Sequence, residues 1–184
     1  KTILGQIESK AKAKEKLPTW FSTPNIIYPP KISIEQTSSE ITASFKSNLI
    51  SGTNLIDSTG GFGVDDFYFA KKFQKIVHCE INPELSAITT HNFTQLKALN
   101  IECKTGDSQD ILNNINKKWD WRYIDPSRRN ESKGEVFMLK DCLPNVPENL
   151  DFYFEKANSI LIKTAPILDI SAGINELNHI KTIH

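Results

Sequence analysis

Apolar and polar residues alternate along this chain in two rhythms. Short runs rich in β-branched and aromatic residues fall at 54–57 (NLID), 75–80 (KIVHCE), 100–106 (NIECKTG), 120–125 (DWRYID) and 158–164 (NSILIKT), and each predicts a strand. Between them the apolar spacing lengthens to the helical period, predicting helices at 64–73, 83–98, 108–117 and 146–157. Pro83 after Asn82 opens the second of these at the first helical position, where its missing N–H costs nothing. Strands alternating with helices predict an α/β fold with a doubly wound, mostly parallel sheet.

Three further segments precede the first strand. Residues 1–17 are rich in helix formers, with Lys10, Lys12, Lys14 and Lys16 clustered before Pro18; an exposed, solvated helix is the preferred reading. Residues 18–31 carry four prolines and three aromatics, which predicts an extended, packed connector. Residues 34–50 (IEQTSSEITASFKSNLI) read as one helix, capped by Ser38 or Ser39 and placing Ile41, Phe45 and Leu49 on one face. Residues 1–48 are therefore expected to form an N-terminal helical extension, and 49–184 the core. After the fifth strand come only a helix near 169–177 and a stub, HIKTIH, for a sixth strand. An edge left so short is one that natural proteins cover, so the core is expected to be C-terminally incomplete, part of a longer protein.

Composition narrows the function. Lys+Arg and Asp+Glu number 22 each, a balance that argues against a strongly basic nucleic-acid surface over the whole chain. No apolar run approaches a membrane span, and the start has no apolar stretch between its charges, so neither a membrane helix nor a signal peptide is expected, and the location is read as cytoplasmic. Three cysteines (Cys79, Cys103, Cys142) without C-x-x-C spacing fit free thiols in a reducing compartment, and no metal is expected. The sequons at Asn92 and Asn130 are chance matches in that setting. Trp119 and Trp121 read as packing residues, and His78 and His91 as core or surface residues.

The chemistry concentrates at the ends of the strands. NLIDSTGGFGVD (54–65) runs from an apolar strand into Asp57 and then into a turn with Gly60, Gly61 and Gly63. A carboxylate at a strand's end can hold a donor on a ligand, and glycines let backbone approach it. Glu80 ends the second strand 23 residues later, where an acid is expected to grip a ribose diol. Asp107 follows the third strand, placed to accept from an adenine amine, and Ser108 is available to cap the next helix. Asp125-Pro126 ends the fourth. Four acids in register with four strands point to a nucleoside-binding sheet.

The D-x-x-G-G-x-G spacing resembles the glycine loop of class I S-adenosylmethionine (SAM)-dependent methyltransferases, with Thr59 where their first glycine is usual. Asp125-Pro126-Ser127-Arg128-Arg129 resembles the D/N-P-P-Y/F/W motif of amine methyltransferases in its first half only. That likeness implies that Asp125 and Pro126 hold the target amine. Where the motif has its aromatic, Arg128 is able to stack on a base, and Arg128 and Arg129 are equally able to pair with phosphate or to make internal ion pairs. KAKEKLPTWF, IYPP, EQTSSEITA, DSTGGFGVD, IDPSRR, LKDCLPNVPE and IKTAPILDI together resemble the SAM-dependent methyltransferase-like proteins of Bacteroidetes that carry a C-terminal THUMP-like domain. This resemblance implies a Rossmann-like sheet, SAM as cofactor, and an RNA substrate held mainly by a C-terminal domain outside these residues. It also implies Gln36, Ser39 and Thr42 as neighbours of the methionine half of SAM, beside an equally good capping role. Two other readings stay open: a small-molecule methyltransferase, favoured by the zero net charge, and a non-catalytic SAM-fold module that binds RNA or a partner.

Overall fold

The computed structural model describes residues 3–128, 138–166 and 168–184. They fall into two compact units, Lys1–Asn116 and Lys117–His184.

The first unit begins with four helices: α1 (Ile3–Lys16), α2 (Pro18–Ser22), α3 (Lys31–Gln36) and α4 (Glu40–Ser47). The predicted connector opens as the short helix α2, because Pro18 at its first position is preset for a helical turn. The rest of it lies packed and without regular structure through residue 30. Two aromatics anchor it: Trp20 is fully buried, and buried Tyr28 donates its hydroxyl to the Trp20 carbonyl at 3.0 Å. Burial also pushes the Tyr28 hydroxyl up to about 12. Asn92, read as a chance sequon, is buried and clamps the connector, accepting from the Ile27 N–H and donating to the Ile27 carbonyl.

The single helix expected over 34–50 is two helices. Thr37 and Ser39 are extended, and the Ser39 hydroxyl accepts from the Thr42 N–H at 3.1 Å, starting α4 afresh. A Thr-Ser-Ser run offers the backbone this local alternative to a continuous helix. Ile41 and Phe45 do share a face of α4, but it points to solvent, at 84% and 55% exposure. The inward face carries Glu40, Ala43, Lys46 and Ser47 instead. It is tolerable because each charge is matched. Glu40 accepts from the Thr19 N–H, the Thr19 hydroxyl and the Tyr68 hydroxyl. Lys46 donates to Asp65 and Ser38. The lysines of α1 also have internal uses: Lys16 donates to the carbonyls of Ile34 and Glu35 at the end of α3, and Lys10 lies over the Phe21 ring.

Then come β1 (Gly52–Asp57), α5 (Val64–Phe69), β2 (Phe73–Glu80), α6 (Pro83–Gln95), β3 (Ile101–Thr105) and α7 (Ser108–Asn113). β2 pairs in parallel with β1 and with β3, setting Asp57 beside His78 and Glu80 beside Thr105. Ala13, Leu17, Trp20, Tyr28, Ile34 and Ala43 from the N-terminal helices and their connections form one core with Phe62, Val64 and Ile88. The extension thus packs directly on the glycine turn.

The second unit holds β4 (Trp119–Ile124), β5 (Ser127–Arg128), a 3-10 turn (Leu139–Asp141), β6 (Cys142–Leu143), α8 (Val146–Lys156), β7 (Ala157–Ile162) and α9 (Ile170–Glu176). β4 and β7 are parallel, whereas the two-residue strands β5 and β6 pair antiparallel, a ladder too short to leave a pattern in sequence. Trp119 is buried, as a packing residue should be, and the Arg122 guanidinium lies 3.6 Å from the centre of the Tyr153 ring. HIKTIH forms no strand, and Ile180 and Ile183 are exposed. The long strands are all parallel, in the order β3-β2-β1 within the first unit and β4-β7 within the second, in keeping with the expected doubly wound arrangement. Among the described residues the three cysteines are free thiols, and no helix is long and apolar enough to cross a membrane.

The Lys46–Asp65 pair, 2.6 Å apart with side chains only 7% and 12% exposed, joins α4 to α5. Lys46→Ala leaves a buried carboxylate without its counter-charge and is expected to lower stability by about 3 kcal/mol or more. Urea unfolding measures this, and Lys46→Met with Asp65→Leu should recover most of it.

Candidate functional site

At the end of β1 the sequence places an acid, and the structure places that acid inside the protein. Asp57 is 1% exposed. Its Oδ1 accepts from the Thr59 N–H at 2.8 Å and the Thr59 hydroxyl at 3.2 Å, so Thr59, standing where a glycine is usual, locks the turn to the strand. Asp66 of α5 lies within 4.8 Å of Asp57 and in turn stands 2.6 Å from Nδ1 of His78 on β2. Asp66 and His78 are fully buried. The three groups lie close enough together to suggest a metal site. However, two ligands of one zinc ion stand about 3.3 Å apart for bonds near 2.0–2.1 Å, so the 2.6 Å contact reads as a hydrogen bond.

Protons follow from that geometry. Two buried carboxyls this close resist carrying both charges. Burial foremost, then the neighbouring Asp66 charge, pushes Asp57 well above the usual carboxylate range; burial and then Asp65 do the same to Asp66. Burial holds His78 below the ordinary histidine value against the pull of Asp57 and Glu80. A neutral imidazole donates Nδ1–H to Asp66 and leaves a bare lone pair on Nε2, which has no partner among the described residues. An unpaired acceptor is the cheaper of the two possible defects.

The glycines belong to the same construction. A Cβ on Gly60 would overlap the His78 ring, and one on Gly63, whose φ is +76°, would overlap Phe93 and stand 2.8 Å from Thr89 Cγ2. Gly61, at φ +59°, faces open space apart from the Thr59 carbonyl oxygen at 3.7 Å. The N–H groups of all three are engaged internally: Gly60 donates to Cys79, Gly63 to Gly60, and Gly61 to the Glu80 carboxylate. Beside the ligand approach expected of them, these glycines have uses inside the protein. Gly60 and Gly63 make room for the protein itself, and only Gly61 presents an unobstructed backbone face.

Glu80 stands differently. At the end of β2 it is partly exposed, with Oε2 accepting from the Gly61 N–H at 2.9 Å and Oε1 from the Asn82 N–H at 2.7 Å. Two backbone donors fix the carboxylate plane, and each oxygen retains a second lone pair. Asp107 is exposed and caps α7, accepting from the Gln109 N–H at 2.7 Å. The cap expected of Ser108 is therefore made by Asp107, and Ser108 is the buried first residue of the helix. Gln36 is exposed at the end of α3; Ser39 and Thr42 bond to each other as a helix cap. Ser38, which sequence reasoning passed over except as a cap, donates to Asp65 at 3.0 Å and so ties this segment to α5.

In the second unit Asp125 follows β4 and lies 3.1 Å from Lys163, each about one-third exposed. Pro126 is buried. Arg128 contributes its backbone to β5, opposite Cys142; Arg129 lies outside the described residues. His91 is a surface residue bonded to the Asn25 carbonyl.

The partners of Asp57 were the part that sequence reasoning missed. One signal existed: Asp66 recurs at the third position of a helix directly after the glycine turn, an acid on the inward side of its first turn.

No protein-family model and no curated protein matches this chain. Solved structures do. A candidate methyltransferase from Porphyromonas gingivalis W83 superposes with a TM-score of 0.85 at 30% identity, over 94% of this chain and 43% of that one. The chain thus spans less than half the length of that relative. Precorrin 8w decarboxylase from Methanobacterium thermoautotrophicum gives a TM-score of 0.53 at 17% identity, over 79% of this chain and 69% of that one. The fold is the Rossmann-like fold of the methyltransferase type.

Two outcomes follow from the geometry. Gly63→Val combines a left-handed backbone with overlap of Phe93 and should cost about 3 kcal/mol or more. Gly61→Ala adds only the strain of a positive φ, about 1–2 kcal/mol. Urea unfolding of both separates packing from ligand approach. The second outcome concerns pH. A carboxyl raised by folding contributes stability that is complete below the unfolded carboxylate range and is lost as pH rises through the folded value. The lowered His78 removes stability as pH falls below the ordinary histidine range. Asp66→Asn imitates the protonated acid and cannot ionise, so its stability should fall less than wild type towards alkaline pH, as measured by denaturant unfolding between about pH 5 and 9.

Proposed function

We propose that this chain is the cofactor-binding core of a SAM-dependent methyltransferase that acts on a base nitrogen of RNA. The observation that carries the cofactor half is Glu80: a partly exposed carboxylate at a strand's carboxyl end, oriented by two backbone N–H groups and left with one acceptor site on each oxygen, which matches a vicinal diol. The open backbone face of Gly61 beside it suits a flat nucleoside. The similarity to the Porphyromonas gingivalis protein supports the same class of reaction, and the THUMP-like resemblance of the sequence supports RNA.

SAM, when bound, supplies a methyl group on a sulfonium, which an amine lone pair takes up as the C–S bond breaks and its electron pair stays on sulfur. This chain's residues bind and orient. Glu80 accepts from the ribose hydroxyls, and Asp107, exposed beyond β3, is available to an adenine amine. Asp57 acts through the turn rather than by contact, since it is buried. Asp125 accepts an N–H of the acceptor amine and aims its lone pair, with Pro126 restricting the backbone beside it. The substrate is bound largely by parts of the protein beyond these residues, in keeping with a chain of zero net charge. A cytoplasmic setting, with its reduced thiols, fits the proposal.

Glu80→Ala should weaken SAM at least about tenfold in calorimetry, since each lost charge-assisted bond is worth roughly 1.5–3 kcal/mol. Asp125→Ala in the full-length protein should leave that affinity intact while lowering methyl incorporation into RNA about a hundredfold. Equal incorporation by wild type and Asp125→Ala would remove Asp125 from the site. Label in small amines but not in RNA would favour the small-molecule reading, and SAM binding without any transfer the non-catalytic one.

A further inference from the structure

Asp125 comes to the proposed acceptor site with a partner that the motif reading did not include. The register Ile124↔Ile162 makes Asp125 and Lys163 the next pair beyond the β4–β7 ladder, and the Lys163 N–H donates to the Ile124 carbonyl at 2.9 Å. The backbone of Lys163 is therefore fixed beside Asp125. On the other side Pro126 restricts the backbone of the residue before it. With both backbones held, the orientation of the Asp125 carboxylate depends on its side-chain torsions and on what it touches. Lys163 Nζ lies 3.1 Å from Oδ1.

As a contribution to stability this pair is minor. Its side chains are 33% and 28% exposed, and ion pairs open to water stabilise folds little. Its chemical effect is larger. A carboxylate that accepts from an acceptor amine must be ionised and must present a lone pair in one direction, and an ammonium on one oxygen serves both needs. We propose that Lys163 is a positioning residue of the acceptor site, holding the Asp125 carboxylate charged and turned so that it can take an N–H from the amine to be methylated. The proposal rests on the methyltransferase reading and adds to it the residue that follows β7, which acts through Asp125 and not by touching cofactor or acceptor.

Full-length protein carrying Lys163→Met or Lys163→Arg is assayed with radiolabelled SAM and total cellular RNA across pH, alongside SAM calorimetry. Lys163→Met should lower turnover about tenfold with SAM affinity unchanged, and the acid limb of its rate profile should move to higher pH. Lys163→Arg should return turnover to within about threefold of wild type, because a guanidinium keeps the charge. Wild-type turnover in Lys163→Met, or a loss that Lys163→Arg shares equally without any shift of the acid limb, overturns the assignment. Should RNA take up no label even with wild type, the substrate reading fails while the pair remains testable. Carbon-13 titration of the Asp125 carboxyl must then move upward in Lys163→Met and stay in place in Lys163→Arg; an unmoved carboxyl overturns the proposal.

Discussion

The burial of two carboxyls and an imidazole beneath the glycine turn is the constraint on which the first unit is built. Asp57 on β1, Asp66 on α5 and His78 on β2 are buried together, with Asp66 bonded to His78 and Asp57 to Thr59. Isolated buried charge is too costly to persist, and burial pushes both acids up and the imidazole down, each toward its neutral form. Everything around it follows. Thr59 closes the turn on Asp57, Gly60 leaves room for the imidazole, and Gly63 admits Phe93 of α6. The next helix begins with its acid already spoken for.

This hub also explains why the N-terminal helices are inseparable from the turn. Asp65, beside Asp66, draws Lys46 and Ser38 inward from α4 and the segment before it, and Glu40 is held by Thr19 and Tyr68. Apolar side chains alone would have given α4 an Ile41–Phe45 inner face. The polar network turns that face outward, because a buried carboxylate and ammonium with matched partners hold more specific positions than two apolar contacts. The nine-residue core cluster of the first unit then fills in behind these contacts.

The alternation of strands and helices was legible because it depends on period, which tertiary context rarely overrides over such lengths. All five long strands and the helices from α5 onward lie where the pattern put them, with ends displaced by a few residues where capping decides, as at Phe69 and Gln95. What the pattern could not show was set by side-chain hydrogen bonds. The break at 37–39 depends on a serine choosing its own backbone, the β5–β6 ladder on two residues each, and the outward face of α4 on partners distant in sequence. HIKTIH had the composition of a strand but pairs with none among the described residues. At the site, the positions of the acids were readable and their states were not, since exposure is a property of the fold.

That difference sorts the four acids into two kinds. Asp57 sits at a strand end, as predicted, and is consumed by the scaffold; Glu80, one strand over, is held by backbone donors on one side and open on the other. The two are linked through the same loop: Asp57 fixes Thr59, and two residues on Gly61 fixes Glu80. A buried acid thereby sets the direction of a partly exposed one. Rigid support behind an open carboxylate lowers the ordering cost of binding, since the group is already aimed before the ligand arrives. In the second unit Asp125 is held by different means, the ammonium of Lys163 just beyond β7 and a proline after it in place of backbone amides. Where backbone donors hold an acid, its charge is stabilised without a compensating cation, and the site stays negative toward an electropositive ligand. Where a lysine holds it, the pair is neutral and offers hydrogen bonding in place of net attraction.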